Sequence, residues 1–364
     1  MSSATVDNGI ELSADIDDHM FDHLERMSDD RGLFEHAEFA SPRLEHGHCT
    51  DDNARMLIVT SRSTDTGPAH LLSRLALDFV LAAQSIDGRS RNRMDSNGKW
   101  TDRLTTEDCW GRSVWAFGHA AAHHDDPTIR QRALRGFDVA LRERPRHSRS
   151  MAFAVLGAVE VIGIDQAHPR ARAVLIDMAT NTAPAHSDSW QWPEPRLTYA
   201  NAALAEATLA TGVALGDSTL TEQGLAMLTW LLERETRDGH LSVTAVGGSG
   251  PDDDYAIHPH FDQQPIEVAA MADACWRAFC LTSDHRWSRA VDRCAAWFTG
   301  ANDVGLAMFD AATSGGYDGL HRDSVNLNQG AESTIALIST RQRAQSLALC
   351  LTPTEVDGPS SDPA

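Results

Sequence analysis

Lysine is nearly absent from this 364-residue chain. Lys99 is the single lysine, so arginine carries almost all of the positive charge. Acidic residues far outnumber basic ones, and the formal net charge is −21 at pH 7. This surplus argues against a nucleic acid or an anionic membrane surface as partner, because either would repel the chain. It is compatible with a neutral partner such as a sugar.

Long apolar runs are missing as well. No stretch of about 18 apolar residues occurs, so we expect no membrane-spanning helix. Residues 1–13 lack a basic segment followed by an apolar run, and we therefore expect no secretory signal and a cytoplasmic protein. The six cysteines show no C-x-x-C spacing, which favours free and mostly buried thiols.

Several catalytic and cofactor motifs are also lacking. There is no G-x-S-x-G elbow of a serine hydrolase, and the glycine run Gly247–Gly250 is not followed by the Gly-Lys-Ser/Thr of a phosphate loop. His46, His48 and Cys49 offer metal-ligand chemistry, but no second cluster matches them in spacing. We expect neither a required metal nor another cofactor.

The sequence does contain six similar stretches. In each, a polar and often acidic cluster runs directly into an apolar helical segment. The stretches begin near Glu45, Thr106, His147, Leu197, Asp262 and Asn328. Their spacing is roughly 40 to 65 residues, which is the length of one helical hairpin with its loops.

The hydrophobic pattern predicts the architecture that these repeats build. Amphipathic segments alternate with segments that are apolar nearly all round, as expected for outer and enclosed helices. Twelve such helices predict an all-α (α/α)6 barrel, with an open helical solenoid as the alternative. Long loops before inner helices two, four, five and six favour the barrel, because they would gather at one end. We predict one barrel domain over 15–350, flanked by disordered residues 1–14 and 351–364.

The shared end of the inner helices is predicted to be rich in carboxylates and aromatic rings. Paired carboxyl groups suit glycoside cleavage, where one protonates the leaving oxygen and the other activates water or attacks carbon. A carboxylate in a first helical turn is, however, more often a cap. The neighbouring pair Asp51 and Asp52 is harder to explain in that way, because two adjacent carboxylates repel and a cap needs only one.

Five longer strings carry a resemblance to a known family. They are Thr50–Arg55, Trp192–Pro195 with Thr198–Leu204, Asp262–Glu267, Gly315–Leu320 and Asn326–Thr334. Through them the chain resembles a bacterial family of six-hairpin, glycosidase-like proteins, whose members often accompany or are fused to glycosyltransferases. The likeness spans residues 18 to 340 or so and is greatest to the mycobacterial methylmannose polysaccharide hydrolases.

The resemblance implies a function and a set of site residues. It implies an endo-acting α-mannosidase on a neutral, α-1,4-linked mannan, with 3-O-methylated mannan as the finer form of the substrate, and glycosyltransferase pathway partners. We predict Asp52 and Glu267 as the acid/base pair, with Glu267 as the proton donor and Asp51 and Asp108 in support. If these two carboxyl groups face each other with room for a water molecule between them, the reaction should invert the configuration of the sugar. The predicted substrate contacts are Glu107, Trp110, Trp190, Trp192, Tyr199, Asn201, Gln264, Tyr317 and Glu332.

Two other classes of function stay open. One is a non-catalytic carbohydrate-binding or scaffold domain, which would not need opposed carboxylates. The other is a different chemistry on the same fold, such as a polysaccharide lyase or an epimerase. A lyase acting on uronic acids would want a basic cleft, and the strongly acidic composition counts against it.

Overall fold

The computed structural model describes residues 19–63, 67–182, 187, 189–253 and 258–352. Twelve α-helices occur within these ranges: α1 Asp22–Arg26, α2 Thr50–Ser61, α3 Pro68–Ala83, α4 Asp108–His123, α5 Pro127–Ala140, α6 Ser148–Ile164, α7 Pro169–Asn181, α8 Asn201–Leu215, α9 Ser218–Arg234, α10 Pro265–Thr282, α11 His285–Phe298 and α12 Ala331–Leu351. The predicted N-terminal tail, and the C-terminal one from residue 353, lie outside the described residues.

The even-numbered helices form a closed inner ring. Each contacts the next along the chain, and α12 returns to contact α2. The odd-numbered helices pack outside: α3, α5, α7, α9 and α11 each lie against the inner helix that precedes them, and α1 lies against α12. The prediction of an (α/α)6 barrel is confirmed, and the open solenoid is excluded because the first and last inner helices touch.

The composition of each helix explains its layer. Inner helix α8 buries every residue from Asn201 to Gly212, as an alanine-rich helix without a polar face can. Outer helix α11 buries one stripe, which includes Trp287, Val291 and Trp297, and leaves Arg286 and Arg289 exposed. Prolines begin α3, α5, α7 and α10, where the missing N–H costs nothing.

Inner helices α4 and α6 touch through their backbones. A Cβ on Gly118 would stand 2.1 Å from the carbonyl oxygen of Gly157, and a Cβ on Gly157 would stand 2.3 Å from that of Val114. Any side chain at either position would push the two helices apart. This contact fixes the width of the ring on one side.

Five two-stranded antiparallel ladders hold the connecting loops. They pair β1 Ala37–Glu38 with β2 Ser41–Pro42, β3 His48–Cys49 with β4 Arg93–Met94, β5 Thr236–Arg237 with β6 His240–Leu241, β7 Phe309–Asp310 with β8 Gly315–Gly316, and β9 Gly319–Leu320 with β10 Val325–Asn326. The pair β3–β4 ties the loop after α3 to the start of α2. Within the described part of the chain, no helix has the length and apolarity to cross a membrane.

Candidate active site

Side chains at the N-terminal ends of the inner helices connect neighbouring helices. Arg112 of α4 lies 3.3 Å from the Asp51 carboxylate of α2. Ser150 of α6 donates a 2.9 Å hydrogen bond to Asp108 of α4. Arg149 of α6 donates at 2.9 Å to the side chain of Asn201 on α8. Together these bonds join four inner helices at one end of the barrel.

The remaining two helices join the same network. The side-chain amide of Asn201 lies 3.4 Å from the Glu267 carboxylate at the start of α10. Arg55 of α2 forms a 2.6 Å ion pair with Glu332 of α12. The repeated polar clusters seen in the sequence therefore meet at a single end of the barrel, which we call the mouth.

A cavity of about 380 Å³ opens at the mouth. Its volume falls within the range of roughly 300–1,000 Å³ that is usual for small-molecule sites. Six carboxylates, two guanidinium groups and one imidazole line it, with polar neighbours: Glu35, His36, Cys49, Asp51, Asp52, Arg55, Arg93, Asp262, Gln264, Asp318, Asn326, Gly330, Glu332 and Ser333. The cavity is thus acidic, with arginines that offset part of the negative charge.

Asp52 is the most enclosed of these carboxylates. It is 2% exposed, it accepts a 3.0 Å hydrogen bond from the Cys49 thiol, and it accepts a second bond from Arg55. Burial raises the pKa of Asp52, and the nearby negative charge of Glu332 adds to this, while Arg55 opposes it. Asp52 is therefore a buried carboxyl group at the wall of the cavity, with a pKa above the ordinary aspartate value.

Helix α2 begins at Thr50, and Cys49 is its capping residue. The Cys49 sulfur accepts a 3.4 Å bond from the Asp52 backbone N–H. The Thr50 hydroxyl donates to the carbonyl oxygen of Arg91, because β3 pairs with β4 beside it.

Asp51 points to a different set of partners from Asp52. One of its oxygens accepts a 2.8 Å hydrogen bond from Asn92, and the other faces Arg112. Burial raises its pKa, and Arg112 and then Arg55 oppose this. Adjacent residues on a helix point about 100° apart, so the two carboxylates reach different partners.

Glu267 is buried against α8. Its carboxylate accepts a 2.5 Å hydrogen bond from the backbone N–H of Ala200 and weaker ones from Asn201. Burial raises the pKa of Glu267 to about 7, although those backbone bonds oppose the shift. Glu267 is 5% exposed and is not among the residues that line the mouth cavity. Its predicted role as proton donor stays a prediction.

Three cavity carboxylates, those of Glu35, Asp262 and Asp318, were not among the predicted site residues. Asp318 accepts a 2.8 Å bond from the Gly330 backbone N–H, and burial raises its pKa to about 6. The Asp262 carboxylate packs directly against Gly319. A Cβ at position 319 would stand 2.3 Å from that carboxylate, so the contact requires glycine. Asp262 and Asp318 both lie inside the strings that carry the family resemblance.

Asp108 and Tyr199 form a pair beside the cavity. The Tyr199 hydroxyl donates a 2.6 Å hydrogen bond to Asp108, whose second oxygen is held by Ser150. This bond to the carboxylate and partial burial raise the pKa of Tyr199. Tyr199 is 44% exposed and is therefore accessible to a ligand, whereas Asp108 does not line the cavity.

The other predicted polar contacts divide between the cavity and its surroundings. Gln264 and Glu332 line the cavity. Glu107 is exposed and faces Arg103 at 3.8 Å. Tyr317 is half-buried and packs against the hydrophobic core. Asn201 has no exposed surface, because Arg149, the Thr198 backbone and Glu267 surround its side chain, so its expected contact with substrate is corrected.

The three tryptophans predicted to contact substrate lie in the core. Trp110 is fully buried and donates its indole N–H to the carbonyl oxygen of Ala140. Trp190 and Trp192 are at most 1% exposed and pack around Trp230 of α9. The proline-bounded loop was expected to present their rings to a sugar, but the rings fill the gap between that loop and α9. This corrects the expectation for all three.

The histidine and cysteine residues near the start of α2 do not converge on one point. His48 contacts Asp29 at 3.0 Å, His46 contacts His36 at 3.2 Å, and the Cys49 thiol donates to Asp52. Each candidate ligand thus has its own partner.

Arg55 lines the cavity and was not among the predicted site residues, although the sequence carries a signal for one of its contacts. It follows Asp52 by three residues on a predicted helix, which is the spacing of an intrahelical ion pair. Its second contact, with Glu332 on α12, could not be read from spacing because 277 residues separate the two along the chain.

Comparisons with known proteins bear on the fold. No family model matches the chain, and no curated protein sequence is similar to it. Solved structures do resemble it, among them a sugar epimerase from a ruminal bacterium, with a TM-score of 0.70, 11% identity, and coverage of 93% of this chain and 98% of that one.

Two further structures extend the likeness. The cellobiose 2-epimerase from Bacillus thermoamylovorans B4167 has a TM-score of 0.69 at 11% identity, covering 92% of this chain and 97% of that one. A GH76 α-mannanase from Bacteroides thetaiotaomicron has a TM-score of 0.64 at 10% identity, with the same coverage. At such low identity these likenesses show the fold alone. The chain has the six-hairpin, glycosidase-like (α/α)6 fold.

Proposed function

We propose that this protein is a glycoside hydrolase that cleaves a neutral, α-mannan-type oligosaccharide or polysaccharide from within the chain. The observation that carries the proposal is the buried carboxyl group of Asp52 in the wall of a polar cavity, beside Arg55 and facing further carboxylates. The finer identity of the substrate, an α-1,4-linked and 3-O-methylated mannan, rests on the sequence resemblance.

The chemistry of glycoside cleavage matches this arrangement. One carboxyl group must be protonated to release the leaving oxygen, and a second must be ionised. A cavity where burial raises some carboxyl pKa values while arginines oppose the shift can hold both states near neutral pH. We assign Asp52 to this pair.

The partner of Asp52 is either Glu267 or Asp318. Glu267 has the higher pKa, about 7, but its carboxylate is hydrogen bonded to α8 away from the cavity. Asp318 has a pKa of about 6 and lines the cavity. Either value leaves a useful protonated fraction near neutrality, so substitution of each separates the two assignments.

A sugar epimerase or isomerase is the second candidate. His36 lines the cavity, burial lowers its pKa, and a neutral imidazole can take a proton from a carbon next to a carbonyl. Two of the structures with this fold are described as sugar epimerases. The acidic wall and the sequence resemblance favour hydrolysis.

The test is incubation with α-1,4-linked mannooligosaccharides, with and without 3-O-methyl groups, followed by sizing of the products. Shorter oligosaccharides with new reducing ends support the endo-hydrolase. Monosaccharide released from one end alone contradicts the endo mode. Products of unchanged size with an altered sugar identify an epimerase or isomerase, and binding without conversion identifies a scaffold. An Asp52→Asn variant serves as the inactive control.

A further inference from the structure

A second cavity opens at the opposite end of the barrel, where the inner helices end. Its volume is about 1050 Å³. Charged residues on or just after the inner helices line it. They include Arg62 after α2, Glu206 on α8, Asp273 and Arg277 on α10, and Arg343 on α12. The cavity has no part in the function proposed for the mouth.

Three residues in its wall place metal-ligating atoms together. His119 and His123 are four residues apart on α4, so they share one face, and their ring centroids are 4.5 Å apart. Glu160 on the neighbouring α6 lies 2.8 Å from the Nε2 atom of His123. One ligand atom from each residue lies within 4.8 Å of the other two.

The simplest alternative is an ordinary ion pair between His123 and Glu160, with His119 packed beside it. It leaves one atom unexplained. His119 is 5% exposed, and its Nε2 is buried without a hydrogen-bond partner among the described residues. Buried polar atoms are rarely left in that state, and a coordinated ion would satisfy this one.

The three arginines beside the site already have carboxylate partners. Arg277 is paired with Glu206 and Glu160, and Arg62 and Arg343 are both paired with Asp273. The guanidinium groups are therefore already neutralised by carboxylates.

We propose that His119, His123 and Glu160 bind one divalent transition-metal ion, with zinc as the best match. Two imidazoles and one carboxylate are a common ligand set for zinc, and they leave a fourth position for water or another ligand on the side of the cavity. Arg277 donates to Glu160 at 3.1 Å and would orient that carboxylate as an outer partner. The site lies at the other end of the barrel from Asp52.

The experiment uses the full-length protein, stripped with a chelator and titrated with Zn²⁺ or Co²⁺. We expect one ion per chain after desalting, a cobalt absorption spectrum of tetrahedral or five-coordinate type, and a metal-dependent rise in Tm. The His123→Gln variant should lose these signals. Its affinity for the metal should fall by more than the roughly 10- to 100-fold that is typical when a residue hydrogen bonded to a metal ligand is changed. His123 is half-exposed, so its substitution should preserve the fold.

A matched control uses another pair of touching histidines. His36 and His46 have ring centroids 5.0 Å apart at the mouth, and His36→Ala with His46→Ala should leave binding unchanged. Absence of stoichiometric binding in the wild type would overturn the proposal. So would binding that survives His123→Gln, or binding that is lost in the mouth-pair variant. Because the readouts are metal content, spectrum and Tm, they stand apart from catalytic activity.

Discussion

The carboxylate of Glu267 accepts a 2.5 Å hydrogen bond from the backbone N–H of Ala200, which has a left-handed conformation with φ of 45° at the start of α8. A non-glycine residue with positive φ costs energy, and this bond helps to hold it. Glu267 therefore secures the first turn of a neighbouring inner helix, whatever its part in the chemistry.

The first prediction concerns Glu267→Gln. If Glu267 is the proton donor, turnover falls by at least about 10²-fold, because the amide cannot supply the proton. Tm should fall as well, since an amide is a weaker acceptor for the Ala200 N–H than a carboxylate. Steady-state kinetics and thermal unfolding measure the two effects separately. Lowered stability with near-normal turnover would move the role to Asp318, and Asp318→Asn should then show the kinetic loss.

The second prediction concerns Asp52→Asn. The substitution keeps the shape of the side chain but removes its ionisation, so turnover should fall by at least about 10²-fold. The far-ultraviolet circular dichroism spectrum and substrate binding should be retained. Glu107→Gln is the control, because Glu107 is exposed and lies outside the cavity. Equal turnover in the two variants would remove Asp52 from the mechanism.

The third prediction concerns the charge of Glu332. Its carboxylate raises the pKa of Asp52, so removing that charge should lower the pKa. In the Glu332→Gln variant, Arg55 would pair with Asp52 alone. The part of the kcat/KM–pH profile that follows the ionisation of Asp52 should therefore shift to lower pH. Measurement of kcat/KM against pH for both proteins tests this. A shift to higher pH would contradict the assigned electrostatics.

The fourth prediction concerns the contact between α4 and α6. Gly157→Ala should destabilise the protein by at least about 2 kcal/mol, because its Cβ would overlap the Val114 carbonyl oxygen. Gly163→Ala on the same helix is the control. No atom lies within 4 Å of its new Cβ, so it should be neutral or stabilising by up to about 1 kcal/mol. Urea unfolding of the two variants measures the difference, and equal stabilities would contradict the close packing.

The fifth prediction concerns Glu235, which is 1% exposed and hydrogen bonded to Thr244. Burial, with the charge of Glu267 as a second cause, raises its pKa to about 8. Between the ordinary carboxyl pKa and about 8, the folded state keeps a proton that the unfolded state releases. The free energy of unfolding therefore decreases as pH rises through this window.

Glu235→Gln removes that titration. The decrease in the free energy of unfolding with rising pH should become shallower in the variant, as measured by denaturant unfolding at several pH values. The alkaline side should show the larger gain relative to wild type. Parallel pH dependences would show that Glu235 does not hold its proton in the folded state.

The repeats, caps and periodicity allowed the barrel to be predicted. Pro68, Pro127, Pro169 and Pro265 each stand at the first position of a helix, where proline is a local signal of a helix start. The alternation of enclosed and amphipathic helices likewise follows from side-chain order along each helix.

The mouth as a meeting point of carboxylates was also predictable, since every inner helix carries its polar cluster at the same end. The identity of the residues that line the cavity could not be predicted in this way. Asp52 and Glu332 line it, Glu267 does not, and Asp318 joins it from a loop. The sequence does not show whether the rings of Trp190 and Trp192 face a sugar or pack against Trp230. The packing of their loop against α9 decides that they pack against Trp230.

The sequence by itself therefore determined the helices and their order around the ring, because capping, proline placement and hydrophobic periodicity act over a few residues. The tertiary structure alone decided which carboxyl groups are buried, which arginine stands beside them and which rings are covered. Arg55 reaches Glu332 only because the ring closes, and the pKa of Asp52 depends on that contact. Burial and charge proximity are sums over neighbours far apart in sequence, so local patterns do not contain them.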